Sequence, residues 1–131
     1  MVYELDETVA AAEAQKAKIP SSAKAVTPLI NELTKLKETL VITTGDNYVG
    51  MGEPQLREDM ADLYSKVAQS HFRPSQAELD NLEAIEGRFT AAKNDFKKIK
   101  DKHLAKFTEV RTKNKLEPIV IKSYDEFLKG Q

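Results

Sequence analysis

The chain has 131 residues, 40% hydrophobic, 31% charged and 7% aromatic, with five glycines, five prolines and no cysteine. That is enough apolar material for one buried core, and the mixture suits helices packed on helices rather than a sheet or a disordered chain. A net charge of −1 excludes a surface built throughout for phosphate, and the lack of cysteine excludes a disulfide framework or a thiolate metal site.

The first predicted helix covers about residues 2–18, with Val2, Leu5, Val9 and Ala12 at helical spacing. Its face is thin, because Ala10, Ala11, Ala12 and Ala14 each bury little surface. No Ser, Thr, Asp or Asn precedes Val2 as a cap, so Met1 reads as an added start on a piece cut from a longer polypeptide. Ile19 to Ser22 break this helix at Pro20. The second predicted helix, about 23–41, carries Val26, Leu29, Leu33, Leu36 and Leu40. Its start has two readings: Ser22 as cap with Pro28 as a kink, or Thr27 as cap with Pro28 in the first position.

Residues 41–53 form the one long irregular connection, punctuated by Gly45, Gly50 and Gly52. Tyr48, Val49 and Met51 are too apolar for a loop exposed throughout, so it is expected to fold back over one end of a bundle. A third helix, about 54–70, is expected to start with Pro54 at its first position and to bury Leu56, Met60, Leu63 and Val67. A short turn at His71 to Pro74 makes the third and fourth helices antiparallel neighbours.

The longest element is predicted over 75–116, with a stripe of Leu82, Ile85, Phe89, Ala92, Phe96 and Ile99. Ser75 with Glu78 forms a capping box, and Pro74 with Leu79 a hydrophobic staple. Pro118 is expected to end this helix. Ile119, Val120 and Ile121 then read as an extended tail, and Ser123 with Glu126 as the cap of a last helical turn holding Phe127 and Leu128. The fold expected is a single all-α domain, an antiparallel bundle of about four helices with a short tail over 117–131.

Chemistry-bearing patterns are few. A di-iron bundle site needs Glu-x-x-His on two helices, whereas His71 and His103 follow Ala68 and Lys100 at that spacing. No cluster has zinc spacing, no Gly-Lys-Ser/Thr makes a phosphate loop, and Asp46 with Asn47 lacks the EF-hand pattern. No catalytic, cofactor or metal residue is therefore assigned, and His103 reads as a residue at the stripe edge. Glu58 and Asp62, with Asp59 beside them, could form an acid–base pair but read more simply as a solvated face. Two binding features remain. One is a contact loop of Asp46, Asn47, Tyr48 and Met51; the other is a basic surface of Lys93, Lys97, Lys100, Lys106 and Arg111. Much of that basic excess has a structural reading, since acid near the start and base near the end of a helix complement its dipole.

Three stretches carry a family resemblance: Val41-Ile42-Thr43-Thr44-Gly45, Pro54-Gln55-Leu56-Arg57-Glu58 leading to Leu63-Tyr64, and Phe72-Arg73-Pro74-Ser75-Gln76. Together with the closing Leu116-Glu117-Pro118-Ile119 and Ser123 through Phe127, they resemble the C-terminal helical region of bacterial BNR-repeat proteins. These are β-propeller proteins of the sortilin and sialidase-like kind, usually labelled glycosyl hydrolases. The resemblance spans roughly residues 29–128 and rests on helix-boundary signals, so it transfers no catalytic residue. It implies a non-catalytic accessory domain of an exported, periplasmic or extracellular protein, whose partner is the parent propeller or another protein. The alternative is a stand-alone helical module whose basic surface meets an acidic protein, lipid or nucleic acid. A small enzyme using the 41–53 loop is a third reading. No strong nucleic-acid signal and no membrane-spanning run is present.

Overall fold

The computed structural model describes residues 1–43, 53–117 and 124–129. Among these the chain is an all-α helical bundle without strands, built from α1 (Val2–Lys18), α2 (Ala23–Leu40), α3 (Leu56–Gln69), α4 (Gln76–Lys113) and α5 (Tyr124–Lys129). It divides into two compact units: Met1–Leu36 with Asp95–Gln131, and Lys37–Asn94.

In the first unit, α1 buries Leu5 and Ala12 as its spacing predicts, but Thr8 and Gln15 complete the stripe. Val2 and Val9 are only partly covered, so the buried face is the predicted one rotated to one side. Thr8 fits there because its hydroxyl donates to the Glu4 carbonyl at 2.6 Å and needs no other partner. On α2, Val26, Leu29, Leu33 and Leu36 are all buried, and Leu40 is buried where the second unit begins. Ser22 does not cap α2: its hydroxyl donates to the Ile19 carbonyl at 2.7 Å within the short 3₁₀ turn Pro20–Ser22. The helix runs through Pro28, which excludes a start at Thr27. Pro28 is exposed, so the hydrogen bond it cannot donate is lost on the solvent side, where the loss costs least.

In the second unit, α3 starts at Leu56 rather than Pro54. Gln55 is the cap, and its backbone N–H donates to the Glu58 carboxylate at 3.2 Å. Leu56 and Leu63 are buried, Val67 is half-buried, and Met60 is exposed, contrary to expectation. The start of α4 is as predicted: the Ser75 N–H donates to Glu78 at 2.7 Å, and the Ser75 hydroxyl accepts from the Glu78 N–H at 3.3 Å. Pro74 and Leu79 stay exposed, so the expected staple adds little burial. An ion pair from Arg88 to Asp59 joins α4 to α3, and the charge of Glu78 is felt at Lys66. Early α3 thus meets mid α4, and late α3 meets the start of α4, which makes the pair antiparallel.

The other end of α4 differs from expectation. The helix stops at Lys113, before Pro118, because the chain closes a Schellman turn. Leu116 N–H donates to the Arg111 carbonyl at 3.0 Å and Lys115 N–H to the Thr112 carbonyl at 3.1 Å. Lys115 takes the left-handed position of that turn, at φ 55°. A side chain there costs roughly 1 kcal/mol that glycine avoids. Lys115→Gly is therefore expected to raise stability by about 1 kcal/mol in urea unfolding; an unchanged or lower midpoint would mean the turn tolerates lysine without strain.

Candidate functional site

The predicted contact loop of Asp46, Asn47, Tyr48 and Met51 lies outside the described residues, as do Val49 and Ser123. The other candidates fall on the helices and can be placed.

His103 is 8% exposed on α4, in the first unit. Its Nε2 lies 3.1 Å from Glu32 Oε1 on α2, near enough for an ion pair but without the alignment of a hydrogen bond. Lys102 Nζ donates to the same oxygen at 2.6 Å. The Lys102 hydrogen bond, followed by His103, holds the Glu32 carboxyl below its ordinary 4.5 against the opposing effect of burial. The arrangement clamps α2 to α4. Among the described residues no group of three or more His, Cys, Asp or Glu side chains is placed to hold a metal ion.

The clamp has a pH signature. Folding lowers the Glu32 pKa, so its contribution is complete above 4.5, the unfolded value, and is lost as pH falls through the lower folded value. Acid titration of stability should therefore fall less steeply below about pH 4.5 in Glu32→Gln than in the native chain. Superimposable acid limbs would show that the clamp contributes nothing.

The acid–base pair considered on α3 is taken up by structural contacts. Glu58 accepts from Gln55 and pairs with Arg57 at 2.7 Å, Asp62 pairs with Lys66 at 2.6 Å, and Asp59 is held by Arg88. The basic surface is only partly assembled. Lys93 lies 5.6 Å from the centroid of the Phe89 ring, and Lys100 lies 4.5 Å from that of Phe96. Arg111 is turned inward, donating to the Glu117 carbonyl through Nε at 2.9 Å and approaching Gln15 Oε1 at 3.5 Å. Lys97 and Lys106 are exposed, but nine residues at about 100° each put them on opposite sides of α4. Lys106 therefore lies apart from Lys93, Lys97 and Lys100, which share one side of the helix by the same spacing.

An apolar surface on Lys37–Asn94 is the larger feature. Met60 is 54% exposed, Tyr64 74%, Phe72 85%, Leu79 47%, Leu82 43% and Phe89 45%. Leu82 and Phe89 were expected in the core; they lie on one edge of a narrower buried line through Ile85 and Ala92. Met60 and Tyr64 likewise lie on the edge of α3 opposite Asp59 and Lys66. The antiparallel pair thus buries its central line and leaves its outer edges open. Tyr64 and Phe72 carried no functional signal by spacing. The arc of Met60, Leu63, Tyr64 and Val67 spans about 100°, the width of an ordinary core-facing stripe, so the sequence held no signal that its outer half stays open.

Among the described residues no helix is long and apolar enough to cross a membrane. Comparison with family models, curated proteins and solved structures finds no match to this chain.

Proposed function

We propose that this chain is a non-catalytic helical interaction module whose contact surface is the apolar outer edge of the α3–α4 hairpin. The observation that carries this reading is the concentration of six large exposed apolar side chains within Lys37–Asn94. Large apolar side chains left in water in such number on one small unit favour a protein contact there. The occupied state of the acids on α3 and the structural role of the Glu32 clamp add support, since neither leaves a group free for chemistry. The context is proposed from the sequence resemblance alone: an accessory domain of an exported BNR-repeat protein, docking on its propeller or on another protein.

Surface for a partner is dispensable to the fold that carries it. Tyr64→Ser and Phe72→Ser are expected to change unfolding free energy by less than about 0.5 kcal/mol each. A loss of about 2 kcal/mol or more in both would mean that these rings belong to the core, and the reading would fail. Hydrolysis of a glycoside by the purified chain would overturn its non-catalytic part, and an upstream reading frame without propeller repeats would overturn its context. A polyanion partner is less well supported, because Lys98 and Lys102 are engaged with Asp95 and Glu32 and Lys106 lies across the helix from Lys97.

A further inference from the structure

We propose that the outer edge of α4 around Phe89 binds a second copy of this chain, the two α4 helices lying antiparallel about a two-fold axis beside Phe89. The inference rests on the interaction reading above and names its partner. Leu79, Leu82, Glu86, Phe89 and Lys93 follow one another at steps of three, four, three and four, the seam spacing by which one helix packs along another. Their own chain leaves them open: Leu79, Leu82 and Phe89 are nearly half exposed, and Glu86 and Lys93 are exposed. The α3 helix is engaged on the other edge of α4, through Asp59 and Arg88.

The occupant follows from the charges on the seam. Glu86 lies three residues before Phe89 and Lys93 four residues after it. An antiparallel copy crossing at Phe89 sets Glu86 of each chain against Lys93 of the other, twice, and brings the two Phe89 rings together at the axis. A parallel copy would oppose Glu86 to Glu86 and Lys93 to Lys93. A uniformly apolar partner would leave both charges without a counterpart. Such a surface is complementary to itself only when reversed. Limited to one helix edge, the contact falls in the class below about 1,200 Å² of total buried area, so association is weak and depends on concentration.

Sedimentation equilibrium of the full chain from about 10 μM to about 1 mM spans the range in which such a contact forms. The apparent mass is expected to rise toward that of two chains. Glu86→Lys and Lys93→Glu should each weaken self-association about tenfold or more, by opposing like charges across the seam. The double variant should recover it, and an equimolar mixture of the two single variants should pair with each other more tightly than either pairs with itself. Far-UV circular dichroism checks that each variant keeps its helices. A native chain that stays monomeric throughout, or single variants that associate like the native chain, overturns the proposal. So does a double variant no better than the singles. If the native chain is monomeric while Tyr64→Ser and Phe72→Ser leave stability unchanged, the second copy is refuted and the interaction surface stands. Loss of stability in those two variants refutes the surface itself.

Discussion

Phe107→Ala is expected to cost about 3–5 kcal/mol, while Phe89→Ala on the same helix costs roughly 1 kcal/mol at concentrations where the chain is monomeric. The two rings stand eighteen residues apart on α4, five turns of helix, and so point to the same side by spacing alone. Phe107 is 2% exposed within the first unit, and the Arg111 guanidinium lies 6.0 Å from its ring centroid. Truncating it removes the transfer free energy of a whole ring and leaves a cavity that close-packed neighbours refill only in part. Phe89 has already left nearly half its surface in water, so its removal forfeits less burial and opens no closed cavity. Urea unfolding of both variants measures the contrast, and equal losses would place Phe89 in a core that the structure does not give it.

Gln15→Met is expected to stabilise the chain, by about 2 kcal/mol. Gln15 is fully buried on α1, its Nε2 has no acceptor among the described residues, and the donor to its Oε1 is Arg111 at the long distance of 3.5 Å. Burying an amide without good partners costs about 1–3 kcal/mol, and methionine fills a similar volume with an adaptable apolar chain. Arg111 keeps its bonds to the Glu117 carbonyl in the variant, so no buried charge is stranded. Thermal unfolding should show a rise of several degrees. A fall would mean that the amide makes a bond worth more than its desolvation.

Spacing and capping signals were legible along α2 and at the start of α4. The stripe of α2 is buried residue for residue, and the Ser75–Glu78 box opens α4 where the pattern of Ser followed by Glu placed it. Ends governed by the backbone were less legible. The α4 terminus lies at Lys113 because the chain turns back through a left-handed Lys115, a position that the sequence marks neither with glycine nor with asparagine. The basic surface read from charge alone is incomplete for a similar reason, because Arg111 turns to the Glu117 carbonyl. Neighbouring Lys102 likewise found Glu32, an acid 70 residues away in sequence.

By itself the sequence determined the all-α class, the number and order of the long helices and, on α2, the side that turns inward, since a period of 3.6 residues fixes direction. Only the tertiary structure decided how wide a strip of each helix is covered. Coverage depends on the breadth of the neighbours, and beside the first half of α4 those neighbours bury Ile85 and Ala92 but leave Leu82 and Phe89 in water.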